Sequence, residues 1–153
     1  MLNIGDAVPD FTVESDTAGT ISSAALRGQR YVIYFYPKDD TPGCTKEACS
    51  FRDKLPDFQG LGVPVFGASA DDAKAHGKFA AKYQLNFPLL ADPDHAVGEA
   101  YGAWREKNNY GKVSMGIARS TYIIDAQGKV ARVWKKVNVD GHDAQVLEAL
   151  RKA

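Results

Sequence analysis

The chain has 153 residues with 19 basic and 19 acidic side chains, a formal net charge of zero, 44% hydrophobic and 25% charged residues. That length and balance predict a single domain, 1–153, with its own hydrophobic core. They argue against a protein built to hold nucleic acid or an anionic membrane, both of which need clustered positive charge. Two cysteines are too few for a disulfide framework. No apolar run is long enough to span a bilayer. The first residues, Met1-Leu2-Asn3-Ile4-Gly5-Asp6, lack the basic-then-apolar pattern of a signal peptide. The expectation is a cytoplasmic protein in a reducing compartment.

In chain order, Phe11-Thr12-Val13-Glu14 and Thr20-Ile21-Ser22 read as a hairpin turning at Asp16–Gly19. Ser22 or Ser23 then caps a short helix that runs through Leu26 and stops at Gly28. Tyr31–Tyr36 is six β-formers without alternation, as suits a strand buried on both faces. A helix follows from Pro42 to about Gly60, expected to break near Pro56. Val63–Ala68 is a second buried strand, with Pro64 marking its start or an edge. Asp71–Gln84 is an amphipathic helix, Phe87–Leu90 a short strand, and His95–Tyr101 a short helix. Ala103–Met115 shows no clear period and reads as a long irregular loop. Ser120–Ile124 and Val130–Trp134 flank the turn Asp125–Lys129 as a second hairpin, and Asp143–Arg151 closes the chain as a helix. This order predicts an α/β or α+β fold, a central mixed sheet flanked by helices on both faces.

The chemistry concentrates in Tyr36-Pro37-Lys38-Asp39-Asp40-Thr41-Pro42-Gly43-Cys44-Thr45-Lys46-Glu47-Ala48-Cys49, directly after the buried strand. Sheets of this class place their sites at the carboxyl ends of strands. Thr41 suits an N-cap, Pro42 the first helical position, and Cys44 then falls in the first turn. Unpaired N–H groups and the positive end of the helix favour an anion there, hence a nucleophilic thiolate. The competing reading makes Cys44 a small buried apolar filler.

Cys49 lies five positions on. In an unbroken helix that spacing means a rise of about 7.5 Å and a rotation of about 140°. The Cα atoms then lie beyond the roughly 4.4–6.8 Å that a disulfide accepts, so a Cys44–Cys49 bond requires the turn to unwind. A strained, local disulfide suits redox cycling better than stability. Zinc needs about four ligands, whereas C-x4-C supplies two. His76, His95 and His142 are scattered, and each reads as a surface or hydrogen-bonded helical residue. No metal or cofactor is expected. Nucleotide-binding, serine-hydrolase and zinc-protease motifs are absent, as is the C-x-x-C of a dithiol reductase. Arg119, at the start of a predicted central strand, is placed to hold a thiolate and an oxygen substrate together. It reads equally as a surface arginine.

These residues resemble a known family. Pro37-x-x-x-Thr41-x-x-Cys44 matches the peroxiredoxin signature, and Asp40–Asp53 is similar to the peroxiredoxin Q, or bacterioferritin comigratory protein, branch. The similarity runs from Gly5-Asp6-x-x-Pro9-Asp10-Phe11 through Phe87–Asp94 to Gly116-Ile117-x-Arg119-Ser120-Thr121. The resemblance implies a thioredoxin-like fold and a thiol peroxidase acting on hydrogen peroxide and organic hydroperoxides. By it, Cys44 is the peroxidatic cysteine, Pro37 shapes the pocket, Thr41 hydrogen-bonds through its hydroxyl, and Arg119 holds the thiolate and polarises the O–O bond. Cys49 is the resolving cysteine, and thioredoxin or a similar thiol reopens the disulfide. Glu47 matches the family's glutamate, either steering Arg119 or answering the helix dipole. Trp104 and Tyr36 wall the pocket or pack the core. Resolution within one subunit implies a monomer. The lack of a carboxyl-terminal extension implies comparative resistance to over-oxidation. The rival functions are a protein disulfide reductase, which the missing C-x-x-C disfavours, and a non-catalytic redox switch.

Overall fold

The computed structural model describes residues 2–17 and 19–152. Ala18, in the first predicted turn, lies outside them. The strands are β1 Thr12–Glu14, β2 Thr20–Ser22, β3 Tyr31–Phe35, β4 Val65–Ser69, β5 Leu89–Ala91, β6 Trp104–Asn109, β7 Lys112–Ile117, β8 Ser120–Ile124 and β9 Val130–Trp134. The helices are α1 Pro42–Gly60, α2 Ala73–Tyr83, α3 Ala96–Tyr101 and α4 His142–Lys152, with a 3₁₀ turn at Ala24–Leu26. Ser22 Oγ accepts from the Ala25 N–H in that turn, and Gly28 follows in the left-handed region at φ +94°.

Five strands form the central sheet in the order β5-β4-β3-β8-β9. β3 pairs parallel with β4 and antiparallel with β8, so the sheet is mixed. Every residue of β3 and of β8 is buried, as their unalternating apolar sequences require. One core cluster joins Val32, Tyr34 and Tyr36 to Phe51 and Phe58 of α1, Phe79 of α2 and Leu147 of α4. The other joins Ile33, Phe35, Tyr122 and Ile124 to Val97 and Tyr101 of α3. Alternate residues of β3 thus feed the two faces, and helices cover both. This is a thioredoxin-like α/β fold with an amino-terminal hairpin.

Two expectations need correction. The helix does not break near Pro56; α1 runs through it for 19 residues. Proline lacks the N–H that would bond the Arg52 carbonyl one turn earlier. That carbonyl accepts instead from Asn86 Nδ2 at 3.2 Å, while Arg52 Nη1 donates to the Tyr83 carbonyl at 2.7 Å. The end of α2 and the segment after it therefore brace α1 where its own ladder is interrupted.

Nor is 103–115 an irregular loop. β6 and β7 form a two-stranded antiparallel ribbon from Trp104↔Ile117 to Asn109↔Lys112. Its turn, Tyr110-Gly111, has φ of +54° and +82°, the paired left-handed geometry of a tight hairpin turn. Only the base of the ribbon is anchored, with Ile117 buried, whereas Val113 and Met115 are exposed.

Replacing Pro56 with Ala restores the missing N–H on an exposed face of α1. Chemical denaturation should show the variant more stable by about 1–2 kcal/mol, the helix-interior penalty less the gain in unfolded-chain freedom. An unchanged or lower stability would mean that Asn86 compensates for the break in full.

Candidate active site

Sheet register brings the site together. Antiparallel pairing sets Phe35 of β3 opposite Ser120 of β8. The residue after β3, Tyr36, and the residue before β8, Arg119, consequently emerge side by side at one end of the sheet. Tyr36 leads into the turn that starts α1, and Arg119 reaches across to the first turn of that helix.

Thr41 occupies the N-cap position of α1 with extended backbone, and Pro42 is the first helical residue. The Thr41 side chain does not cap the helix; its hydroxyl donates to the Lys38 carbonyl at 2.9 Å. The first-turn N–H groups of Gly43 and Cys44 have no helical acceptor ahead of them and point out of the helix beside the Cys44 side chain. Cys44 is 1% exposed and carries a free thiol. Arg119 Nη2 donates to Cys44 Sγ at 3.4 Å and Nη1 to Glu47 Oε1 at 2.7 Å. A planar guanidinium thus bridges two residues one turn apart on the helix.

Glu47 is the sixth residue of α1, beyond the first turn, and 1% exposed. Burial pushes its carboxyl up to about 7, against the opposing pull of Arg119. Its second oxygen, Oε2, has no hydrogen-bond partner among the described residues. Behind it lies Tyr34, buried and stacked on Phe51 with centroids 4.7 Å apart. Burial, followed by the nearby negative charge of Glu47 and Cys44, raises the Tyr34 phenol well above its usual value, so it stays neutral.

Gly43 keeps space for the arginine. A Cβ at this position would stand 3.1 Å from Arg119 Nη2. Cys44, Glu47 and Arg119 thus meet directly at one end of the sheet, while Pro37 and Thr41 stand in the turn between β3 and α1, with the Thr41 hydroxyl on Lys38 and not on the thiol. Cys49 does not join them directly: it is half-buried, a free thiol, and further along the same unbroken helix. Tyr36 and Trp104 are packing residues. Tyr36 is buried with its hydroxyl on Asp39, and Trp104 stacks on His95 at 3.8 Å.

Several residues of the site are not evident in the sequence. Asp40 adopts φ +57° and accepts from Lys82 Nζ at 2.8 Å and Tyr83 Oη at 2.7 Å, tying the turn before α1 to α2. Asp39 makes a parallel tie to His76. Lys107 of β6 packs along Gly116 of β7 and feels the charges of Arg119 and Cys44; burial, then Arg119, lowers its pKa. The only sequence cue to Lys107 was the Tyr110-Gly111 turn, which sets the ribbon's register.

The sequence matches the AhpC/TSA family over residues 4–133. A Bacillus subtilis peroxiredoxin Bcp is 43% identical over 150 residues, covering 98% of this chain and 96% of that protein. The structure of the Xanthomonas campestris bacterioferritin comigratory protein superimposes with a TM-score of 0.91 at 40% identity, covering 99% of this chain and 97% of the other. A Xylella fastidiosa PrxQ variant superimposes with a TM-score of 0.93 at 33% identity, with 99% and 97% coverage. The chain belongs to the AhpC/TSA family, in its peroxiredoxin Q (Bcp) branch. Its activity class is accordingly that of a thiol peroxidase, an antioxidant oxidoreductase. Among the described residues, no helix is long and apolar enough to cross a membrane.

Two predictions follow from the guanidinium bridge. Gly43→Ala should raise helix stability, by up to about 1 kcal/mol, yet slow Cys44 oxidation on the order of tenfold by displacing Arg119. Stopped-flow peroxide kinetics beside thermal melts checks this, and loss or gain of both together would contradict it. Glu47 holds its proton up to about 7 in the folded chain and to 4.5 otherwise. The folded state therefore binds more protons between those values, and stability falls as pH rises through them. Relative to Glu47→Gln, the wild type should lose roughly 3 kcal/mol between pH ~4.5 and ~8 in urea titrations. A pH-independent difference would show that Glu47 is ionised throughout.

Proposed function

We propose that this chain reduces hydrogen peroxide and organic hydroperoxides through Cys44, with Cys49 resolving the intermediate in the same subunit. The observation that carries the reading is the Arg119 guanidinium, 3.4 Å from Cys44 Sγ and fixed by Glu47 at 2.7 Å. A buried sulfur at a helix start, met by a permanent cation, is held as a nucleophile and not merely as filler.

In the first step the Cys44 thiolate attacks the terminal peroxide oxygen. An S–O bond forms, the O–O bond breaks, sulfur is oxidised to sulfenic acid, and the leaving hydroxide or alkoxide takes a proton to depart as water or alcohol. Negative charge develops on both oxygens. Arg119 and the first-turn N–H groups of α1 are the donors nearest the thiol, and the Thr41 hydroxyl joins them by turning from the Lys38 carbonyl. Pro37, in the turn between β3 and α1, takes the pocket-shaping role.

In the second step Cys49 sulfur attacks the Cys44 sulfenic sulfur, forming the disulfide and releasing water. With both cysteines in a continuous α1, the five-residue spacing demands that the first turns unwind. A dithiol of the thioredoxin type then supplies two electrons to reopen the bond. The same reading places the chain in the cytoplasm, where such reductants are maintained, as a single-domain monomer that needs no partner subunit for resolution. The alkyl peroxide reduction of the Xanthomonas campestris relative supports organic hydroperoxides as substrates.

Peroxide consumption coupled to thioredoxin oxidation should vanish in Cys44→Ser. Cys49→Ser should complete one peroxide reduction per subunit and then stall. After one equivalent of peroxide, mass spectrometry of the wild type should find a peptide linked through Cys44 and Cys49. Full turnover by Cys44→Ser would overturn the assignment, and normal cycling by Cys49→Ser would remove Cys49 from the resolving role.

A further inference from the structure

The turn Pro37–Thr41, which delivers Cys44 to Arg119, is held by a buried polar cluster that the reaction itself does not use. At its centre is His76 of α2, 0% exposed. Its Nε2 lies 2.8 Å from the Leu90 carbonyl of β5, and its Nδ1 lies 2.7 Å from Asp39 Oδ2. A carbonyl only accepts, so Nε2 carries a hydrogen. A carboxylate likewise only accepts, so Nδ1 carries one too.

The surroundings present Asp39 with hydrogen-bond donors on both oxygens. Tyr36 Oη donates to its other oxygen at 2.6 Å, a short charge-assisted contact. Burial raises the Tyr36 phenol well above its usual value, so it remains a donor. Asp71, between β4 and α2, accepts from the Asp39 backbone N–H at 2.9 Å and from Ser69 Oγ at 2.6 Å. The titratable groups facing His76 are thus Asp39 from the turn, Tyr36 from the end of β3 and Asp71 from the segment before α2.

We propose that His76 is a positioning residue of the peroxidase site: as a buried imidazolium shared between Asp39 and the Leu90 carbonyl, it clamps the turn that carries Pro37 and Thr41, and it releases that turn on losing its proton. This rests on the reading of Cys44 as the attacking thiol. The neutral ring has one N–H for two acceptors, so it meets either Asp39 Oδ2 or the Leu90 carbonyl with a lone pair, and the bridge between the turn and β5 is lost. The turn then keeps the Asp39 N–H to Asp71 and the surface contacts of Asp40 to Lys82 and Tyr83, but not its bridge to β5.

The pKa of His76 is consistent with this. Burial alone would lower it, but the hydrogen bond and charge of Asp39, the Leu90 carbonyl and Asp71 together raise it above 6.5. The clamp is therefore complete below pH about 6.5 and is lost as pH rises through the raised value. The expected signature is a falling alkaline limb in the rate of Cys44 oxidation.

The test pairs two measurements on the full chain. Nitrogen-15 NMR of the imidazole should find both His76 ring nitrogens protonated at pH 6, with a titration above 6.5. The second-order rate of Cys44 oxidation by hydrogen peroxide, followed by mass at Cys44 from pH 6 to 9.5, should fall about tenfold with the same midpoint. His76→Gln, neutral at every pH, should be slower at pH 6 and flat across that range. If His76→Gln does not fold, Asp39→Asn, which removes the anionic acceptor, should likewise abolish the limb. A singly protonated ring at pH 6, or the same alkaline limb in the variants, overturns the proposal; the latter result would assign the limb to Lys107. Absence of oxidation at Cys44 in the wild type would instead overturn the reading of Cys44 itself.

Discussion

The site depends on one guanidinium. Arg119 is tied at one nitrogen to Glu47 and at another to the sulfur of Cys44, and both partners are almost fully buried. Burying a carboxylate is costly unless a cation meets it. Here the cation that meets Glu47 is aligned on the thiol one turn away. Glu47 keeps the arginine's plane fixed, so the positive charge facing sulfur is held in place. Gly43 preserves the space for it, and the Phe35–Ser120 register of the sheet delivers it.

A second constraint comes from helix geometry. The chain keeps both its thiols on α1, at a spacing where a folded helix holds them apart. In the proposed cycle, the arrangement that favours attack on peroxide opposes disulfide formation, and the two states alternate. The structure divides α1 accordingly. Its first turns are held by polar ties to Arg119 and, on the surface, by Lys46 to Asp140. Its later part is anchored by the buried rings of Phe51 and Phe58 and by the exchange of hydrogen bonds between Arg52 and the Tyr83–Asn86 segment. Polar ties can be exchanged for water at modest cost, whereas lifting two buried rings cannot.

Much of this was legible in the sequence because it is local. The unbroken apolar run of β3 and the β-formers of β8 announced central strands, and Thr41-Pro42-Gly43-Cys44 announced a helix start with a thiol in its first turn. What escaped depends on partners distant in sequence. Pro56 reads as a helix break because the rescue of the Arg52 carbonyl comes from Asn86. The β6–β7 ribbon is hard to see because β6, Trp104-Arg105-Glu106-Lys107-Asn108-Asn109, is polar beyond its first residue, although β7 alternates from Lys112 to Ile117. Glu47 was ambiguous between dipole and arginine, since only the fold brings Arg119 to it. His76 looked like an ordinary helical histidine; its meaning comes from acceptors on a turn and on β5.

In the proposed cycle, Cys44 and Cys49 react with one another only when the start of α1 unwinds while the rest stays folded. Amide hydrogen exchange on the reduced and the peroxide-oxidised protein is the decisive measurement. Oxidation should abolish protection between Thr45 and Ser50 and leave it unchanged from Arg52 to Gly60. A protein linked through Cys44 and Cys49 that keeps full protection across Thr45–Ser50 would contradict it.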